Sequence, residues 1–423
     1  MELMLLGVLI VVFVGTFMYL KLPIGISLAI TSIAMALAAG HVNLTVLESL
    51  INGMFGYLDV SLVLITAMIF MKIIDKNGLL KALTKKLIVT FGHSPITLLI
   101  VITLLIMFPG AITGSCSASV LSTGVLLAPV LLQLGMPRNV AGAIITMASV
   151  YGMIAPPVNI IVMIIGAGMD VPYIGFNSVL MIIVLPLAIF STLFMGYRYA
   201  KQADLNAVVE KFKEQETKGG FLLYLPLLVM VVLMVVPKMF PQSIPDPGLP
   251  LTFVIAIALA CLSKHDFSIP QVAKDGVNDI LPIVSLLLGV GMLLEIMTMV
   301  GLRGYIVVNI LGLPSYLLLI GMAITLPALG GISVFGSASV LGVPFALGLL
   351  GSNQIIIISA LSLIAAMGSF TPPVALTPVV TAQIIGEPNY MELTKPCLIP
   401  IAVAIVVGML IIQFAEPVAK ILL

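Results

Sequence analysis

The stretch SVYGMIAPPVNI (149–160) and its counterpart AAMGSFTPPVAL (365–376) decide the fold of this protein. Each contains a glycine, three further residues and a Pro-Pro pair, inside an apolar segment long enough to cross a bilayer. A proline in a helix interior removes a hydrogen bond and clashes with the preceding turn, which costs roughly 3 kcal/mol. The residue before a proline is also driven out of the helical conformation. The sequence therefore predicts two membrane helices that are each interrupted near the middle.

The composition indicates an all-α polytopic membrane protein. Of its 423 residues, 61% are hydrophobic and 8% are charged, whereas charged residues make up about a quarter of a soluble domain. Apolar runs of about 18 or more residues recur, and the alternation of a β-barrel is absent. Three scattered cysteines favour neither a disulfide framework nor a metal site. A net charge of +1 without a basic stripe argues against nucleic-acid binding.

Two apolar stretches differ from simple spans because they carry small polar residues at their centres. They are 95–135, with TGSCSAS at 113–119, and 314–350, with GGISVFGSAS at 330–339. We predict that both are re-entrant helical hairpins, since unwound backbone at membrane depth is tolerated only inside a protein-enclosed cavity. The predicted spans are about 3–20, 24–40, 59–75, 139–168, 174–197, 221–237, 250–263, 277–300, 355–385 and 396–415.

The basic residues support this topology. With the N-terminus outside, 15 of the 18 Lys and Arg residues lie on the inner side, in Lys-rich loops such as 76–86 and 198–218. Treating either hairpin as a full crossing would scatter these loops onto opposite sides, against the positive-inside rule. The first apolar segment lacks a basic leader and a cleavage site, so we expect it to be retained.

The two halves repeat with opposite orientation. SASVL occurs at 117–121 and again at 337–341, and a Pro-Pro pair follows the first serine by 39 and 35 residues. In the predicted topology the hairpins enter from opposite sides, which makes an inverted repeat with discontinuous helices, a transporter architecture. The predicted parts are scaffold helices in 1–58 and 220–276, a first repeat in 59–197, a cytoplasmic linker in 198–219 and a second repeat in 277–423.

The interrupted helices predict an ion site. Neither proline of a pair has an N–H, so the carbonyls four residues upstream lose their helical partners. Free carbonyls suit Na⁺, and the N-terminus of the following half-helix suits an anion. The carbonyls concerned are those of Gly152, Met153, Gly368 and Ser369. Side-chain oxygens are available nearby from Ser115, Ser117, Ser119, Ser333, Ser337, Ser339, Asn159 and Thr371. The alternative for the hydroxyls is interhelical packing.

These features resemble the large membrane subunit of tripartite ATP-independent periplasmic (TRAP) transporters, the C4-dicarboxylate type within the ion-transporter superfamily. The residues that carry the resemblance are FPGAITGSCSASVLSTGVLLAPVLLQLGMPRNVAGAIITMASVYGMIAPPVNIIVMIIGAG (108–168), GGISVFGSASVL (330–341) and GSFTPPVALTPV (368–379). The resemblance implies Na⁺-coupled import of an organic acid by an elevator mechanism, in which a transport domain slides against a scaffold. It also implies a separate small four-helix membrane subunit, a periplasmic substrate-binding protein and an inner (plasma) membrane location.

The site residues follow from the resemblance together with the helix breaks. The predicted Na⁺ ligands are Ser115, Ser117, Gly152, Met153, Pro156, Ser337, Gly368, Ser369 and Thr371. The predicted substrate contacts are Ser119, Asn159, Ser333 and Ser339. The family usually has Ser or Thr at Cys116 and Ala118, and often Ser after the first Pro-Pro pair, where this chain has Val158-Asn159. These departures affect the surface that faces the substrate.

Two alternatives compete with this interpretation: a self-sufficient relative, and an intramembrane enzyme or ion channel. A self-sufficient Na⁺- or H⁺-coupled carboxylate symporter or antiporter of the same superfamily would have the same repeat. An intramembrane enzyme would need a nucleophile with a base or a motif such as HExxH, and neither occurs. A channel would need a continuous polar pore, whereas the polar residues concentrate at two points. We therefore expect a transporter and no enzyme.

Overall fold

A computed structural model describes residues 1–214, 220–240, 242–262, 267–372 and 375–423. Every regular element within these ranges is helical, which confirms the all-α fold. Within the described ranges, eight helical segments are long and apolar enough to cross a bilayer. Both predicted interruptions are present, and both predicted hairpins are helix–turn–helix elements.

The helices alternate between long spans and short half-helices. Residues 1–91 form α1 (Glu2–Val14), a π-helical turn (Gly15–Tyr19), α2 (Ile24–Ala38), α3 (Leu44–Phe55), α4 (Leu58–Lys76) and α5 (Leu79–Phe91). Residues 95–214 form α6 (Pro95–Thr113), α7 (Cys116–Ser119), a π-helical turn (Val120–Gly124), α8 (Val125–Gln133), α9 (Arg138–Ile154), α10 (Ile160–Ala167), α11 (Phe176–Gln202) and α12 (Leu205–Glu214).

The second half has the same alternation. It comprises α13 (Phe221–Met239), α14 (Gly248–Ala260), α15 (Ile269–Met299), α16 (Leu302–Leu311), α17 (Ser315–Gly330), α18 (Val334–Ser337), a π-helical turn (Ala338–Gly342), α19 (Val343–Leu347), α20 (Gln354–Ala366), a 3₁₀ turn (Met367–Phe370), α21 (Leu376–Ile385), α22 (Tyr390–Gln413) and α23 (Ala415–Leu422).

A first bundle consists of α2, α3, α4 and α15. Glycines bring α2, α3 and α15 into backbone contact. α15 packs against α2, α3 and α4. A Cβ atom on Gly53 would lie 2.3 Å from the carbonyl oxygen of Gly291, and one on Gly289 would lie 2.3 Å from that of Gly25. Small residues at membrane helix crossings permit this close approach. The second bundle is centred on α9, which contacts α6, α11, α21 and α22. The assignment of the first bundle as scaffold and the second as transport domain stays a prediction.

The two limbs of each hairpin run antiparallel. In the first, Thr123 Oγ1 donates to the Ile106 carbonyl at 3.5 Å, and Gly110 lies beside the Ser119 side chain. In the second, Ser337 Oγ donates to the Leu326 carbonyl at 2.7 Å. The chain therefore turns back at each tip, as the centrally placed polar residues predict.

The structure corrects the register of the repeat by two residues. Ser115 caps α7 by accepting from the Ala118 N–H, and Ser333 caps α18 by accepting from the Gly336 N–H. The π-helical turns begin at positions with the same spacing, Val120 and Ala338. Ser119 therefore corresponds to Ser337, whereas the two copies of SASVL place Ser117 opposite Ser337. The match between the two copies of SASVL is therefore two residues out of step with the geometry of the hairpins.

Segments that the sequence treated as polar loops also contain helices. α5 covers much of the Lys-rich loop after the third predicted span, and α12 lies in the predicted linker. The apolar side chains of α12, Val208, Val209 and Phe212, are buried, and α12 packs against α5. The spacing of these three residues is helical, so this part of the linker is folded onto the protein. Residues 215–219 of the linker, which include Lys218, lie outside the described residues, as do Lys264 and Pro373.

Candidate functional site

At the first helix break, other hydrogen bonds replace some of those that the prolines remove. Pro156 and Pro157 donate no hydrogen bond, but the Ala155 N–H donates to the Gly152 carbonyl at 3.1 Å. The prediction that this carbonyl lacks a partner is therefore wrong, because the chain tightens into a short turn. The Met153 carbonyl gains no such bond within the described ranges. The Val158 N–H donates to the Ala111 carbonyl at 3.0 Å, which joins the break to the first hairpin.

Asn159 links both sides of this break. Its side-chain oxygen accepts from the Val162 N–H at 3.0 Å and so caps α10. Its side-chain amide donates to the Ile154 carbonyl at 2.9 Å and lies 3.2 Å from Ser362 Oγ. Asn159 is fully buried. Both polar atoms of the Asn159 side chain, a predicted substrate contact, therefore have partners in the protein.

The second break differs from the first at the start of its second half-helix. The Thr371 N–H donates to the Gly368 carbonyl at 2.9 Å, so this carbonyl too has a partner and the sequence-based expectation is wrong. Ala375 precedes α21 in a left-handed conformation, with φ of 37°, and no described side chain caps this helix. Pro373 and Val374 lie outside the described residues. The N-terminus of α21 thus differs from that of α10, which Asn159 seals.

Each break packs glycine to glycine against the hairpin of its own repeat. A Cβ atom on Gly110 would lie 2.9 Å from the carbonyl carbon of Gly152, and one on Gly330 would lie 2.8 Å from Cα of Gly368. Any larger side chain would push hairpin and break apart. The glycines upstream of the prolines are therefore needed for close approach of the hairpin.

A central cavity of about 380 Å³ brings the two repeats together. Its wall includes residues of both hairpin tips, both breaks, the π-helical turn after α1, and helices α2 and α15. Among the predicted site residues, four line it: Met153, Ser333, Gly368 and Ser369. The hydroxyl of Ser369 has no hydrogen-bond partner among the described residues, and this side chain is only 7% exposed.

Two lining residues were missed by the sequence-based prediction. Cys116 at the first tip and Thr377 at the start of α21 meet across the cavity wall, with Thr377 Oγ1 3.0 Å from Cys116 Sγ. Cys116 was noted only as a departure from the family, and Thr377 lies beyond the Pro-Pro pair. The signal for Thr377 was a hydroxyl in the first turn of the second half-helix.

Ser115 and Ser117 lie elsewhere. They line a second cavity of about 330 Å³ together with Lys72, Asp75 and Asp279. Lys72 Nζ and Asp279 Oδ2 form an ion pair of 2.5 Å between α4 and α15. The structure thus separates these two predicted Na⁺ ligands from the central cavity and places them against the first bundle.

Three further predicted residues, Ser119, Ser337 and Ser339, are fully buried. Ser339 Oγ donates to the Gly336 carbonyl at 3.0 Å, and Ser337 bonds within its hairpin as described. Ser119 Oγ has no partner within the described part of the chain. It lies next to Gly110 and the Gly152 backbone. A buried hydroxyl without a partner costs about 1–3 kcal/mol, so a ligand that bonded to Ser119 Oγ would remove this cost.

Two hairpins and two interrupted helices around one cavity define a multi-pass membrane transporter fold. The chain belongs to the family described as "Tripartite ATP-independent periplasmic transporter, DctM component", whose sequence profile matches residues 9–418. No curated protein matches the sequence. Among solved structures, the crystal structure of the YdaH transporter of Alcanivorax borkumensis is similar, with a TM-score of 0.58 and 14% identity. The similarity covers 87% of each chain, and at this identity it supports the fold alone.

Proposed function

We propose that this protein is the large permease subunit of a TRAP transporter that imports an organic acid, C4-dicarboxylate-like or another carboxylate, together with Na⁺. The observation that carries the proposal is the central cavity, because both hairpin tips and both breaks contribute to it. A volume of about 380 Å³ suits a small organic acid. Family membership supports the transporter role.

In this proposal no Lys or Arg side chain binds the acid. The described residues that line the cavity include no charged side chain. Leu376 and Thr377 line it at the uncapped start of α21, where backbone N–H groups and the helix dipole favour an anion. The free hydroxyl of Ser369 is a further donor, whereas the hydroxyl of Thr377 already donates to Cys116 Sγ. The carboxylate therefore binds at the second break rather than at the first, which Asn159 seals.

Na⁺ binds at the first break, between Ser119 and the carbonyl of Met153. The unpartnered Ser119 hydroxyl lies next to the Gly152 backbone, and the Met153 carbonyl gains no substitute hydrogen bond from the described residues. Carbonyls of unwound helices are typical Na⁺ ligands in transporters with discontinuous helices. A cation here would satisfy both oxygens.

The elevator movement would separate the two bundles at α10. Two side chains, one at the start of α4 and one on α16, bond to the C-terminal end of this half-helix. Tyr57 Oη donates to the Ile164 carbonyl at 3.0 Å, and the Arg303 guanidinium donates to the Gly168 carbonyl. Sliding of the second bundle would break both bonds, so they favour the conformation in this structure.

A small four-helix membrane subunit and a periplasmic binding protein complete the proposed transporter. We further propose that it lies in the inner membrane with its N-terminus outside, because this orientation leaves most Lys and Arg residues on the cytoplasmic side.

Uptake into proteoliposomes tests the proposal. A thermal-shift screen of C4-dicarboxylates and other carboxylates against the binding protein selects the acid. The large and small subunits are then reconstituted, and uptake of the radiolabelled acid is measured with an inward Na⁺ gradient. We expect uptake that requires Na⁺ and the binding protein. Equal uptake with choline in place of Na⁺ would refute the coupling. Uptake by this chain alone would instead favour a self-sufficient symporter.

A further inference from the structure

A cavity of about 400 Å³ opens where α11 ends and α22 begins. Its polar lining comes from Arg198, Tyr199, Gln202 and Lys395, and its apolar lining includes Phe194 and Ile399. We propose that this cavity binds the headgroup of an anionic phospholipid. The cavity lies on the second bundle, away from the helix breaks, so the proposal does not depend on the identity of the transported acid.

The position along the helices matches the membrane interface. α11 has 27 residues, which span about 40 Å, whereas the hydrocarbon core of a bilayer is about 30 Å thick. The last turn of α11, with Arg198 and Gln202, therefore extends to headgroup level. Lys395 lies in the second turn of α22, at the same end. In the predicted topology this is the cytoplasmic end, which carries 15 of the 18 Lys and Arg residues.

The charges fit a phosphodiester. Lys395 Nζ is paired with Glu392 at 2.6 Å, but Arg198 makes no ion pair or hydrogen bond with any described residue. A guanidinium presents a rigid fork of donors that matches phosphate oxygens. Tyr199 and Gln202 supply further donors to phosphate or glycerol. Basic pockets between membrane helices at the cytoplasmic side are typical binding sites of anionic headgroups.

The surface beneath the cavity fits acyl chains. Phe194 is 49% exposed and Ile399 is 55% exposed, and Phe194 stacks on Phe190 with ring centroids 5.8 Å apart. These side chains lie one turn or more towards the bilayer from the basic groups. A soluble anion would not use this apolar surface, whereas a phospholipid covers it with its chains. The occupant is therefore a lipid rather than free phosphate.

Titration with defined lipids tests the site. The protein in detergent is titrated with 1-palmitoyl-2-oleoyl-phosphatidylglycerol and, separately, with the phosphatidylcholine of the same chains, and binding is followed by native mass spectrometry. Each basic residue near an anionic lipid contributes about 1 kcal/mol, so Arg198→Gln and Lys395→Gln should each weaken phosphatidylglycerol binding about fivefold, and the pair about thirtyfold. Lys201→Gln is the matched control, since Lys201 is exposed on α11 but does not line the cavity.

Three outcomes would overturn the proposal. The first is equal phosphatidylglycerol binding by the double variant and by Lys201→Gln. The second is equally tight binding of phosphatidylcholine by the unmodified protein. The third is competition by millimolar inorganic phosphate, which would indicate a site for a free anion. Melting curves in lipid-free detergent check that the variants fold. If Arg198→Gln does not fold, Lys395→Gln alone still tests the proposal.

Discussion

Gly368→Ala should damage both the stability and the transport activity of this protein. The new Cβ atom would lie 2.6 Å from Cα of Gly330 and 3.0 Å from the Pro327 carbonyl oxygen. Ordinary contacts begin at 3.4 Å, so hairpin and break must separate by about 0.8 Å. Overpacking of this kind costs about 1–3 kcal/mol. Because Gly330 and Gly368 both line the central cavity, the same displacement alters the shape of the site.

Gly321→Ala is the matched control. Gly321 lies on α17, the same helix as Gly330, and nothing approaches its Cβ position within 4 Å. Replacing an unhindered helical glycine by alanine stabilises by about 0.5–1 kcal/mol. The two variants should therefore differ by about 1.5–4 kcal/mol in unfolding free energy.

The chain has no tryptophan, so unfolding is best followed with a thiol-reactive dye, which reports exposure of the buried Cys116 and Cys397. Na⁺-driven uptake in proteoliposomes is measured alongside. If Gly368→Ala has the same melting temperature as Gly321→Ala and transports at the rate of the unmodified protein, the close contact between hairpin and break does not position the site.

Three further substitutions test other parts of the site. Asn159→Ala should lower the free energy of unfolding by about 2–3 kcal/mol, because it removes a helix cap and a hydrogen bond across the break. Asn353 caps a partly exposed helix start, so the control Asn353→Ala should lower it by about 1 kcal/mol. Equal melting temperatures of the two variants would contradict the bridging role of Asn159. Ser119→Ala should raise the Na⁺ concentration for half-maximal uptake several-fold, and an unchanged Na⁺ dependence would indicate a packing role. Tyr57→Phe removes the bond to the Ile164 carbonyl, so cysteine-accessibility labelling should report a smaller population of the conformation seen in this structure. Unchanged labelling would show that this bond does not hold the conformation.

Local chemistry was sufficient to predict the interrupted helices and the hairpins. A Pro-Pro pair removes two consecutive helical hydrogen bonds and interrupts the helix, whereas single prolines such as Pro186 and Pro282 remain inside α11 and α15. Small polar residues at the centre of an apolar stretch indicated the turn of each hairpin. The repeat register from the sequence was wrong by two residues, because a five-residue match does not by itself show which positions occupy equivalent places in the two hairpins. The cap bonds of Ser115 and Ser333 reveal the correct register, and such bonds depend on backbone geometry that sequence similarity does not report.

The sequence by itself determined an all-helical membrane protein with two breaks and two hairpins, because these features follow from hydropathy, proline chemistry and charge placement. Only the tertiary structure decided which groups share a cavity. It joined Met153, Ser333 and Ser369 with the unpredicted Cys116 and Thr377, and placed Ser115 and Ser117 beside Lys72 instead. Tip residues one position apart face different neighbours, since each helical residue turns about 100° from the last. The packing of the two bundles therefore selects which side chains meet.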